Sequence, residues 1–183
     1  MKKKVIIIII SVAAVCIIAA CVLYLRGVIR LPWGQSETPE PKAEMYLEYM
    51  DEFMLIDSNG VVIGSTSEPP EGIPKINGID FPTIIVGEKL APENEEAYAY
   101  AKRIVNALKK NSLFMREIYI SSDLEASLYI NDVCIFLGAD NKTEEKLNEL
   151  RDFIDDFKDL SGTLDMQELS VNNLGYTFKI KQN

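Results

Sequence analysis

The chain has 183 residues and a formal net charge of −9, with 48% hydrophobic and 26% charged residues. That balance excludes a disordered protein and leaves room for one modest domain. There is no histidine, which removes the commonest general base, the commonest zinc ligand and every Ser-His or Cys-His nucleophile pair. From Leu31 onward, 14 basic residues stand against 28 acidic ones; such a body repels phosphate backbones and makes nucleic acid a poor partner.

The first element is apolar. Val5 to Leu25 is a run of 21 residues in which only Ser11 and Tyr24 carry polar side chains. As a helix it rises about 31 Å, close to the thickness of a hydrocarbon core. Lys2, Lys3 and Lys4 precede it, and Arg26 and Arg30 follow. The positive-inside rule then keeps residues 1–4 in the cytoplasm and exports the rest. A single-pass signal-anchor is the first reading. A lipoprotein signal is the second, because Ile18-Ala19-Ala20-Cys21 fits a lipobox with Cys21 as the lipidated residue. A buried core helix is the third, and the flanking charges oppose it. Residues 26–44 read as a linker, with Pro39 and Pro41 in a polar stretch.

The exported body starts near Met45. Met45 to Asp57 is rich in apolar residues; helix and strand both fit its start, and its end reads as a strand. Asn59-Gly60 is a hairpin signal, and Val61 to Gly64 returns. A short extended piece, Ile73 to Gly78, and another strand, Thr83 to Val86, follow. Pro92 to Asn111 is an amphipathic helix with Ala97, Ala101, Ile104, Val105 and Leu108 on one face. Strands follow at Glu117 to Ser121, Leu124 to Ile130 and Val133 to Leu137. A second helix, about Thr143 to Leu160, buries Leu147, Leu150, Phe153, Ile154, Phe157 and Leu160, with Asn141 or Thr143 as its cap. Two strands close the chain, at Gly162 to Met166 and Leu174 to Lys181. The expected fold class is α+β: a single transmembrane helix, then a mostly antiparallel sheet with two amphipathic helices on one face.

No catalytic constellation emerges. The carboxylates of the second helix read as a solvated face. Asp57-Ser58-Asn59-Gly60 and Asp155 to Asp159 lack the ligand alternation of a calcium loop. Cys134, the lone cysteine of the body, lies in an apolar run and reads as a buried thiol. The reading is therefore no enzyme, no metal and no cofactor. One feature points outward. Tyr176, Phe178 and Ile180 alternate in the last strand, which is a candidate edge strand able to pair with another chain. Core pairing guarded by Lys179 and Lys181 is the alternative.

Four motifs in order resemble the β domain of the bacterial cell-division FtsQ/DivIB family. They are Leu55 to Val62 with Asp57 and Gly60, Ile73 to Gly78 with Pro74 and Gly78, Val133 to Gly138, and Gly162 to Met166 with Asp165. The POTRA domain that this family carries ahead of the β domain is missing or reduced here, since about 25 residues separate Leu25 from Tyr49. The resemblance implies a non-catalytic divisome scaffold at the cell membrane, positioned at the division septum. Its implied partners are FtsL-like and FtsB/DivIC-like single-span proteins, the latter pairing with the last strand. The alternative is an exported binding module or lipoprotein unrelated to division.

Overall fold

A computed structural model describes residues 41–157, 159–167 and 177–180. The expected span Val5 to Leu25, the linker up to residue 40, and Tyr176 lie outside the described residues. Among the described residues no helix is long and apolar enough to cross a membrane.

Among the described residues nine strands form one sheet in the order β3-β2-β1-β4-β5-β6-β7-β8-β9. They are β1 (Ala43–Tyr49), β2 (Glu52–Asp57), β3 (Val62–Thr66), β4 (Lys75–Asn77), β5 (Glu117–Ile120), β6 (Glu125–Ile130), β7 (Asp132–Ala139), β8 (Ser161–Asp165) and β9 (Thr177–Ile180). Two helices, α1 (Glu95–Lys110) and α2 (Thr143–Phe153), interrupt the strand order, and a 3₁₀ turn (Ile154–Phe157) continues α2.

The sheet is mixed, with antiparallel pairs in the majority as expected. Five neighbour pairs are antiparallel, but β1–β4, β4–β5 and β7–β8 run parallel. Helices account for two of the three parallel pairs, and β1–β4 is reached through β2, β3 and a loop. A helix between consecutive strands carries the chain back to its starting end, so β4-α1-β5 and β7-α2-β8 are crossover units.

Alternation along the strands builds the core. Ile76, Ile118, Leu128, Ile135, Leu164 and Phe178 are cross-strand neighbours in one continuous row. All but the half-buried Phe178 are buried. They share a cluster with Ala97, Ala101, Ile104, Val105 and Leu108 of α1, and Leu147 and Leu150 of α2. The opposite sheet face carries Tyr119, Ser127, Tyr129, Cys134 and Phe136, all partly or fully exposed. Cys134 therefore shares the open face with Tyr129, its cross-strand partner, while Val133 and Ile135 point inward. An apolar run was read as uniformly buried, but a strand's two-residue period divides it between faces.

Local chemistry explains the element bounds, with differences from expectation. Asn94 caps α1, accepting from the amides of Glu96 and Ala97 at 3.1 and 3.0 Å. The cap position of α2 is Lys142, left-handed and without a side-chain cap bond. Thr143 instead donates to Asp140 at 2.9 Å. The helix expected to reach Leu160 tightens into the 3₁₀ turn after Phe153. Thr83 to Val86 is loop rather than strand, with Ile85 and Val86 exposed. Instead Lys89, farther along, bridges to Val61 beside β3. Met45 to Asp57 is two strands, turned at Met50 and Asp51, both with positive φ.

Candidate functional site

The residues singled out from sequence fall into two groups. Asp57, Gly60, Pro74, Gly78, Gly138, Gly162 and Asp165 hold turns and strand ends. Tyr176, Phe178 and Ile180 concern the last strand.

Asp57 ends β2 and organises the next turn. Its Oδ1 accepts from the amides of Asn59 at 2.9 Å and Val61 at 2.8 Å, and its Oδ2 from Asn59 Nδ2 at 3.1 Å. Burial works against the Asp57 carboxylate, but the bonds from Val61, Asn59 and Gly60 outweigh it and lower its pKa. Gly60 closes the turn at φ +84°, and a Cβ there would lie 2.8 Å from the Tyr98 hydroxyl. That hydroxyl is buried and finds no hydrogen-bond partner among the described residues. Burial, with Asp57 and Glu95 nearby, pushes the Tyr98 pKa up to about 12.

Pro74 leads into β4 and accepts the Tyr46 amide at 3.0 Å. Gly78 follows β4 at φ +80°, where any Cβ would run into the Ile120 carbonyl. The chain there hugs β5, which only glycine permits. Gly138 lies against Gln167, and its carbonyl accepts the Tyr100 hydroxyl at 2.9 Å. Gly162 lies against the Lys179 carbonyl of β9. Asp165 accepts the Gln167 amide at 3.1 Å.

Sequence reasoning did not single out Lys146, which is fully buried on α2. Its ammonium donates to the Leu137 carbonyl at 2.8 Å and to Asn141 Oδ1 at 2.7 Å. Burial lowers its pKa, against the opposing charges of Asp140 and Asp165. Together, Lys146 and Tyr100 tie both helices to the end of β7. A lone lysine among acids on a helix carries no sequence signal for burial.

The last strand lies at one edge of the sheet, beside β8 alone. Its orientation follows from the ladder. The Met166 amide bonds the Phe136 carbonyl of β7. By alternation Gly162 and Leu164 also turn their backbone groups to β7, while Thr163 and Asp165 turn theirs to β9. Lys179 and Thr177, opposite Thr163 and Asp165, therefore bond β8. Phe178 and Ile180, opposite Leu164 and Gly162, aim their backbone N–H and C=O groups outward. The Phe178 ring is half-buried. It stacks on Phe157 at 5.3 Å with an interplanar angle of 18°. The outward-facing groups of this edge among the described residues are the main-chain N–H and C=O of Phe178 and Ile180. Tyr176 lies outside the described residues.

No family model matches the chain. Over 117 residues it is 24% identical to the cell division protein DivIB of Clostridium botulinum (strain Hall / ATCC 3502 / NCTC 13319 / Type A). The match covers 62% of this chain and 46% of that protein, so the chain spans about half the length of the curated relative it matches. This is a weak similarity, and it points to the same cell-division family as the four motifs.

Proposed function

We propose that the chain is a non-catalytic scaffold of bacterial cell division, anchored by Val5–Leu25 with its body outside the cytoplasm. The similarity to DivIB carries this reading. The edge strand supplies a mechanism consistent with it. Main-chain groups of Phe178 and Ile180 face away from β8, and an extended segment of another chain can add there as a tenth strand. An FtsB/DivIC-like protein is the proposed partner at this edge, with an FtsL-like protein in the same assembly.

Two measurements test the proposal. A fluorescent fusion of the full chain should concentrate at the septum of dividing cells; uniform membrane fluorescence would favour an exported binding module unrelated to division. Binding of an FtsB/DivIC-like exported segment should depend on the β9 edge and be lost in Ile180→Pro.

A further inference from the structure

The sheet is interrupted at one place. β1 and β4 run parallel, yet they meet in a single pair, Tyr46 with Lys75. Pairing stops there because Gly78 holds the chain after β4 against Ile120 of β5, and the Gly78 amide bonds the Asn77 side chain at 2.9 Å. Beyond that pair β1 runs on to Tyr49, and Glu48 has no ladder partner on β4. The Tyr46 amide points toward β4, so alternation turns the N–H and C=O of Glu48 the same way. They face a cleft of about 680 Å³. Its lining includes Glu48, Met50 and Asp51, the residues of β4, and Ile79, Asp80 and Ile84. Met50, at the hairpin tip, is 79% exposed.

We propose that this cleft is a second strand-addition site, taking an extended peptide segment with alternating apolar and basic side chains. The main-chain N–H and C=O of Glu48 offer an added strand one donor and one acceptor. Side chains of an added strand alternate between faces. One set meets Ile79 and Ile84 on the wall of the cleft. The other meets the acidic rim, where three carboxylates, Glu48, Asp51 and Asp80, face one ammonium, Lys75. Glu48 already holds Lys75 at 2.6 Å. Among the described residues Asp51 and Asp80 have no ion-pair partner, so they select a basic segment. The site is independent of the β9 edge and of the division reading.

The test uses the full chain in mild detergent, with its methionine methyls isotopically labelled, and a nitroxide-tagged Lys-Val-Lys-Val-Lys peptide. Binding should broaden the exposed Met50 methyl and spare the buried Met166 at the end of β8. Asp51→Asn with Asp80→Asn, both at exposed positions, should weaken binding at least tenfold at low salt. A Glu-Val-Glu-Val-Glu peptide should not bind, and proline at the middle residue of the basic peptide should abolish binding. Broadening at Met166 instead of Met50, equal binding of the acidic peptide, unchanged affinity in the double variant, or no binding at millimolar peptide would each overturn the proposal.

Discussion

Tyr98 buries a hydroxyl that gains nothing from its surroundings. Removing an unsatisfied buried polar group relieves a cost of about 1–3 kcal/mol, partly offset by lost packing. Tyr98→Phe should therefore leave stability unchanged or raise it by about 1 kcal/mol in urea unfolding. A loss above about 1 kcal/mol would mean that the hydroxyl is satisfied in solution. The same hydroxyl limits Gly60. Gly60→Ala should destabilise by about 1–2 kcal/mol from its left-handed backbone alone, and less in the Tyr98→Phe background than in the parent. A double-mutant cycle reads that coupling. Asp57 adds a pH dependence with a definite sign. Its folded pKa lies below the ordinary 3.8, so its stabilisation is present above 3.8 and disappears as pH falls through the lower folded value. Compared with Asp57→Asn, the parent should gain most at neutral pH, and the gap should close in acid. A gap constant with pH would remove the carboxylate from the account.

Strand β9 permits a test that separates binding from folding. Ile180→Pro removes an N–H that faces outward and spares the bonds to β8. Lys179→Pro removes one that bonds β8. The first should abolish capture of a partner segment with little loss of stability, and the second should destabilise the edge itself. Capture surviving Ile180→Pro would count against strand addition at β9. Phe178→Pro is a poorer choice, because it also removes the stack on Phe157. The elements were unequally legible in the sequence. Helix α1 announces itself through its apolar period and its acidic first turn, and those reflect local physics. The β1–β2 turn does not, because Met50 and Asp51 occupy left-handed positions that usually carry Asn or Gly. Thr83 to Val86 has the composition of a strand, but the outer edge of β3 is taken by the residues just after it, where Val62 bonds Gly87 and Glu88 and Val61 bridges Lys89. Glycines at 60 and 78 were legible as positions, while the Tyr98 hydroxyl and the Ile120 carbonyl that demand them come from distant sequence.

The described body has one thin seam in its hydrogen-bonded sheet, which the Glu48–Lys75 ion pair also crosses. Strands β1–β3 join β4–β9 through the single Tyr46–Lys75 pair. Across that seam α1 acts as a clasp: Lys109 pairs with Glu44 of β1, and Tyr98 covers the Gly60 turn. Native-state hydrogen exchange should therefore resolve two cooperative units. Amides of Met54 and Leu55 should open at lower free energy than those of Ile118, Leu128 and Ile135. One common opening energy for both sets would show that the clasp welds the seam. The parallel seams themselves could not be read from the sequence, since pairing direction depends on where each crossover lands. Alternation decided which side chains point inward but not which strands are neighbours.

The strand order has a kinetic consequence. From β1 the sheet grows outward in both directions, with β2 and β3 added on one side and β4 through β9 on the other. Each newly synthesised strand joins an edge that already exists, and none must be inserted between two strands already paired. Such a sheet can assemble in the order in which the chain emerges, with few opportunities for wrong pairing.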